Sequence, residues 1–364
     1  MDNKDRMFWV SFAKIPRVGA QKFRKLISYF GNLEAAWKSG AADLIKAGLD
    51  EKTVFQIGDA RKKIDPGYET EKLRKEKIQI VTFLDKNYPR LLAEIYNPPA
   101  LFFLKGNIEN LKLPGLAIVG TRKVSAYGKN VARNLSYELA QCGLNIVSGM
   151  ALGIDAACHE GALRAGGKTL AVLASGVDKK SVSPPSNYQL SEKILTNGGC
   201  LLSEFAPGTK PLKQNFPVRN RIISGLCPGT LVVEAMEKSG ALITANYALE
   251  QNRHVFAVPG SIYSPQSFGP NKLIKMGAVP VTSAADITEV LNLKNIKIEK
   301  EVKKILPENP EEKLIYQILS SGTLNIDRIV FFSGLNIKTV NFCLTILEMK
   351  GMIVNLGAGN YARR

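Results

Sequence analysis

Short apolar runs without strict alternation recur along the middle of the chain, at Leu116–Val119, Leu144–Val147, Thr169–Leu173, Cys200–Ser203, Leu231–Val233 and Val255–Val258. Longer stretches of helical periodicity separate them, around residues 127–142, 154–166, 189–197, 217–226 and 241–252. A strand that is apolar at nearly every position is buried on both faces. Such strands joined by helices predict an α/β fold with a doubly wound, mainly parallel sheet.

The flanks read differently. Residues 1–60 predict short helices, and Ile15-Pro16-Arg17-Val18-Gly19 followed by Lys22, Arg24 and Lys25 resembles one helix-hairpin-helix unit, whose turn and basic side chains meet a phosphate, or reads as a plain helical turn broken by Pro and Gly. Residues 61–110 are mixed, with a polar helix at Tyr68–Lys77, a strand at Ile78–Phe83 and a Pro-broken stretch ending at Gly106. Residues 291–311 are rich in Lys and Glu and contain Pro307 and Pro310, the composition of a linker. Beyond them, helices at Glu312–Ser320, Ile326–Phe332 and Thr339–Lys350 precede a hairpin from Met352 through Gly357 and Gly359 to Tyr361, the winged-helix order. The expected division is a small helical domain (1–65), a sheet domain (66–290), a linker (291–311) and a winged-helix-like domain (312–364).

Charge narrows the partner. Among 364 residues, 49 Lys and Arg face 32 Asp and Glu, a net +17. The excess is spread as +6 over residues 1–110, +7 over 111–290 and +4 over 291–364. That distribution suits a polyanion, nucleic acid before membrane, although a lysine-rich soluble surface carries the same count. No run approaches the roughly 18–20 apolar residues that span a bilayer, and the charged start Met1–Arg6 makes a poor signal peptide. Five scattered cysteines and two histidines argue against a zinc site or a disulfide framework, so the expectation is a cytoplasmic protein without metal or cofactor.

Three segments carry candidate chemistry. Gly120-Thr121-Arg122-Lys123-Val124-Ser125-Ala126-Tyr127-Gly128 turns a strand into a helix, where free N–H groups and a partial positive charge favour anions. It is neither G-x-G-x-x-G nor a G-x-x-x-x-G-K-[ST] loop, so no dinucleotide or triphosphate is indicated. Ser148-Gly149-Met150-Ala151-Leu152-Gly153-Ile154-Asp155 repeats the arrangement after the second strand, with Asp155 and His159 one turn apart. That pair reads as a metal or acid–base couple, or more simply as a helix-start carboxylate with a packed histidine behind it. The stretch from Lys210 through Lys213, Phe216, Arg219, Asn220 and Arg221 places four cations and an aromatic near the start of a helix. Basic side chains neutralise phosphates and an aromatic face can stack a base. Arg219 and Arg221 lie about 200° apart on a helix, so only one can face a shared ligand.

These motifs resemble the DNA-processing protein A (Smf) family. The resemblance rests on Gly120-Thr121-Arg122 with Ser125-x-Tyr127-Gly128, on Ser148-Gly149-x-Ala151-x-Gly153-Ile154-Asp155, and on Phe216-Pro217-x-Arg219-Asn220-Arg221. Val233-Glu234-Ala235, Ser239-Gly240-Ala241 and Val255-Phe256-Ala257-Val258-Pro259-Gly260 extend it over residues 80–290. It implies an extended Rossmann-like sheet and a non-enzymatic, single-stranded-DNA-binding homodimer. Such a protein protects incoming DNA in natural transformation, loads the RecA recombinase and displaces single-strand-binding protein. In that reading Arg122 grips the DNA backbone, and Gly120, Thr121, Ser125, Tyr127, Ser148, Gly149 and Gly153 line the phosphate pocket. Lys213 and Phe216 fall at a DNA-binding lysine and a stacking aromatic, and Leu273 and Ile274 are candidate dimer contacts. The chain departs from the family pattern at Ser183-Pro184-Pro185-Ser186-Asn187, where an aromatic is usual, and at Cys227.

A rival shares the same edge. Gly229-Thr230 followed by Glu234 resembles part of the signature of nucleoside-5′-monophosphate phosphoribohydrolases, in which the glutamate is catalytic. Cys227-Pro228 stand where that signature has a Gly-Gly pair, and the flanking domains and high charge suit a polymer better than a mononucleotide.

Overall fold

The computed structural model describes residues 3–293, 309–357 and 359–363. The chain divides into two compact units, Met1–Ile298 and Glu299–Arg364. Most of the expected linker, residues 294–308, lies outside the described residues.

The first unit is built on nine strands: β1 (Ile78–Thr82), β2 (Leu101–Gly106), β3 (Gly115–Val119), β4 (Asn145–Ser148), β5 (Thr169–Val172), β6 (Cys200–Ser203), β7 (Gly229–Val232), β8 (His254–Ala257) and β9 (Val279–Pro280). Their spatial order is β1-β2-β6-β5-β4-β3-β7-β8-β9. The seven strands from β6 to β9 run parallel, while β1 and β2 add antiparallel at one end. β3 through β7 are buried at every residue, as their unbroken apolar runs require. β2 occupies the stretch expected to be Pro-broken: Pro98 and Pro99 end just before it, and Leu101-Phe102-Phe103-Leu104 is buried between β1 and β6.

The sheet is wound from both sides. Helices Ala126–Gln141 and Ile154–Arg164 cover one face, through a cluster that includes Leu135, Leu139, Ile154 and Ile118. Helices Asn215–Gly225, Gly240–Glu250 and Phe268–Lys275 cover the other, through Ile222, Ile223, Ala245 and Leu273. Strand order reverses at β3, which pairs with β4 on one side and β7 on the other. A crevice opens at such a switch point because the connections leave it toward opposite faces. Leu273, expected at a dimer surface, is a correction: it is only 4% exposed, packed into its own chain's core, while Ile274 beside it is half-buried.

The N-terminal helices are not set apart from the sheet. One apolar cluster joins Trp9, Phe12, Phe23 and Leu26 to Ile80, Phe103, Ala171 and Leu201. Trp9 stacks on Phe23 at 5.3 Å and meets Phe83 edge-on at 5.7 Å. In the hairpin-like turn, Arg17 adopts a left-handed φ of 69° before helix Ala20–Phe30. The basic residues expected to meet phosphate there are engaged within the fold. Lys22 pairs with Asp50, Lys25 donates to Gly48 O, and Arg24 lies over the Phe83 ring.

The second unit has helices Pro310–Ile318, Ile326–Ser333 and Ile337–Met349 around Ile315, Ile329, Leu344 and Leu347. A three-stranded antiparallel sheet closes it, with Asn360–Arg363 between Leu324–Asn325 and Ile353–Gly357. This is the winged-helix arrangement. Among the described residues no single helix is long and apolar enough to cross a membrane.

Candidate nucleic-acid interface

The β3 and β7 turns are locked together before any ligand is considered. Thr121 N–H donates to Glu234 O at 2.7 Å, and Ile154 N–H, from the β4 turn, donates to Thr121 O at 3.3 Å. Such closeness excludes side chains. At Gly153, whose φ is +82°, a Cβ would stand 2.3 Å from Thr121 O. At Gly149 a Cβ would meet the Arg219 guanidinium at 2.4 Å. Glycines read as making room for phosphate therefore first make room for the neighbouring turn.

Above these turns lies a cavity of about 500 Å³ lined by Gly120, Thr121, Arg122, Phe216, Arg219 and Asn220. A slot of about 80 Å³ adjoins it, sharing Arg122, Phe216 and Arg219 and adding Gly149, Ser175, Ser183 and Pro184. The exposed Arg122 guanidinium lies over the Phe216 ring at 4.8 Å, and Arg219 approaches the same ring at 5.8 Å. Seven of the expected residues thus meet at one place, Gly149 among them.

Arg219 is a brace. It is buried, and its Nη1 donates to Gly149 O and Val172 O, both at 2.5 Å, while its Nε donates to Asn220 Oδ1 at 3.1 Å. Burial draws its pKa down to about 10, partly offset by the carboxylate of Asp155. Asp155, also buried, is held above the usual carboxylate range by desolvation against the pull of Arg219. Arg221 points elsewhere, to Glu204 and Asn97 O, so of the two arginines Arg219 is the one at the cavity.

Several expected ligands serve other ends. Ser148 Oγ donates to Ile118 O inside the sheet. Ser125 caps helix Ala126–Gln141 and donates to Glu234 Oε1, while Gly128 fits its backbone against the Glu234 side chain. Tyr127 is half exposed and donates its hydroxyl to Pro259 O. Lys210 and Lys213 project from the exposed loop that leads into helix Asn215–Gly225. The cavity also contains residues outside the expected set: Lys238, and Gly240, Ala241 and Thr244 at the start of helix Gly240–Glu250. A Ser-Gly helix start after a buried strand was the available signal for them.

Glu234 bears on the hydrolase reading. Its carboxylate is buried and accepts from both Ser125 N and Ser125 Oγ, so it caps a helix and does not line the cavity.

Asp155 and His159 do not form a couple. His159 Nδ1 lies 2.6 Å from Thr169 Oγ1, whose own proton goes to Ile146 O, so Nδ1 donates and Nε2 is left without a partner among the described residues. Burial, aided by Arg219, lowers the His159 pKa to about 3. An unfolded histidine titrates near 6.5. Between those values the unfolded chain binds a proton that the folded chain refuses, so stability falls as pH drops from about 6.5 toward 3. His159→Gln should shrink the stability difference between pH 7 and pH 5 by roughly 2 kcal/mol in urea unfolding. An unchanged difference would show that this histidine titrates alike folded and unfolded.

Residues 79–292 match the model of the DNA recombination-mediator protein A family, and residues 300–359 match the DprA winged helix domain. The chain is 34% identical to Protein Smf of Synechocystis over the full length of both. It is 47% identical to DNA processing protein DprA of Bacillus subtilis over 70% of this chain and 83% of that one. The crystal structure of DNA processing protein A from Streptococcus pneumoniae superposes with a TM-score of 0.67 at 37% identity, covering 78% of this chain and 97% of that one. A Helicobacter pylori DNA processing protein A, described for its single-stranded DNA binding mode, gives 0.53 at 29% identity over 59% and 96%.

Proposed function

The chain belongs to the DNA recombination-mediator protein A family, and from that premise we propose that it is a non-enzymatic, single-stranded-DNA-binding protein of transformation and recombination. One observation carries the reading: an exposed arginine lies over an aromatic ring at the mouth of a cavity on the switch point of the sheet, where Arg122, Lys123, Arg219 and Lys238 outnumber Asp155 and Glu237. Arg122, Lys123 and Lys238 supply charge for a phosphate, beside the N–H groups that open helix Gly240–Glu250. Phe216 supplies the stacking face. Arg122 covers that face, so a base takes it when the guanidinium turns to the phosphate. This exchanges a cation–π contact of roughly 0.5–1 kcal/mol for a stack of about 1–3 kcal/mol.

Arg219 and Asn220 hold the floor, and Lys210 and Lys213 extend the charge along the approach. Recognition by backbone and stacking has little sequence preference and weakens steeply with salt. In this reading the chain is a cytoplasmic homodimer that protects single strands, loads the RecA recombinase and displaces single-strand-binding protein. Residues 1–65 form a helical lobe on the sheet domain 66–290, and 312–364 form a winged-helix domain.

Fluorescence anisotropy with matched single and double strands, titrated with AMP as competitor, tests the reading. Tighter binding of single strands, unaffected by AMP, is expected. Equal affinity for duplex, or displacement by AMP, would refute it. Release of free adenine from AMP would restore the hydrolase.

A further inference from the structure

We propose that the groove between helices Ile154–Arg164 and Tyr188–Thr196 is a second binding site, for the phosphates of a single strand already held at the cavity. The inference rests on the single-strand reading above and extends its footprint.

The groove is a half-open depression of about 650 Å³ between the two helices. Its charged walls are Arg133, Glu160, Arg164 and Lys193. Glu160, the one carboxylate among them, is already engaged by Arg133. Arg164 and Lys193 therefore face the groove from two different helices, with no carboxylate partner among the described residues. Arg164 is steadied over the Tyr137 ring at 5.2 Å and remains exposed. Two unneutralised cations across a cleft attract an anion that can lie between them, and a phosphodiester chain is such an anion.

Position ties this groove to the first site. Ser183 and Pro184 line the slot beside Phe216, while Ser186 and Asn187, immediately downstream, line the groove. From Pro184 to Ser186 the chain spans at most about 7 Å. The loop is fastened in place, because Asn187 Nδ2 donates to Met150 O at 2.8 Å on the β4 turn. Leu152, 46% exposed on that same turn, offers an apolar surface where a strand leaves the slot. A strand leaving Phe216 over this loop reaches Lys193 and Arg164 without crossing the sheet.

The test uses the full chain carrying Arg164→Gln and Lys193→Glu, with labelled oligodeoxythymidylates of about 6 and about 24 nucleotides, lengths that bracket one site and several. Anisotropy titrations should show affinity for the longer strand falling about tenfold. The slope of log affinity against log salt should become shallower by about 1.4, two phosphates' worth for a single strand. The shorter strand should bind within about twofold of the parent. An unchanged affinity and slope for the longer strand would overturn the proposal, as would a parent protein that binds both lengths equally. Both substituted side chains are exposed, so thermal melting should match the parent and confirm that folding is intact. Arg122→Ala in the same series separates the two ideas. Loss of both lengths supports the cavity as the first site, and no loss at either length removes that site whatever the groove does.

Discussion

Arg122→Ala is expected to lower affinity for single-stranded DNA about 10- to 100-fold, for every base composition alike, with thermal stability nearly unchanged. The guanidinium is exposed, and its contact within the fold is the Phe216 ring at 4.8 Å, an interaction of roughly 0.5–1 kcal/mol at a surface. Against phosphate the same group makes charge-assisted hydrogen bonds of about 1.5–3 kcal/mol, and loss of that contact sets the expected range. Lys213→Ala should act in the same direction but more weakly, because Lys213 stands on the approach loop and contributes a point charge. The measurement is anisotropy across a salt series, in which Arg122→Ala should also flatten the salt slope by about 0.7. If Arg122→Ala binds single strands like the parent at low and high salt, the cavity is not the grip.

Arg219→Met should instead act on the fold, destabilising it by about 3–5 kcal/mol, because it leaves buried acceptors without their donor and a buried carboxylate without its nearby cation. Four groups depend on that guanidinium. Gly149 O, Val172 O and Asn220 Oδ1 accept its protons, and the buried Asp155 relies on its charge. For a chain of this size the expected drop in melting temperature is roughly 10 °C. Arg219→Lys should fall between, since it restores a charge but not the fork that reaches two carbonyls. A melting curve for Arg219→Met that overlies the parent's would mean that Arg219 braces nothing. The two arginines thus divide one cavity between them, one free to move and one fixed.

That division explains what the sequence could and could not disclose. The parallel strands were readable because burial on both faces leaves an unbroken apolar run. β2 was hidden by Pro98 and Pro99 just upstream, and β9, only two residues long, has no pattern to show. At the site, spacing on a helix separates Arg219 from Arg221, yet a cation that braces a turn and one that holds a phosphate occupy the same kind of position. Likewise a hydroxyl at a strand end suits a phosphate as well as it suits a carbonyl. Ser148 and Ser125 take the second course because Ile118 O and the Glu234 carboxylate lie within reach. The Ser-Gly helix start marks Gly240 in the sequence, but only the order of the sheet, which sets β7 beside β3, brings it and Lys238 to this cavity.

The shared core of the N-terminal helices and the sheet has a consequence for the nascent chain. Trp9, Phe12 and Phe23 leave the ribosome well before Phe103, Ala171 and Leu201 of the same cluster. At roughly 5–20 residues per second, about 130 residues of further synthesis separate the end of the last N-terminal helix from β6, a delay of some 6–25 s. For that interval the aromatic side chains of the first helices have one another, as Trp9 has Phe23 and Phe12 has Trp37, but the part of the cluster that Leu201 completes stays uncovered, and a chain stopped before β6 keeps it so. One core is thus begun by the helices and finished only when the later strands of the sheet are laid against them.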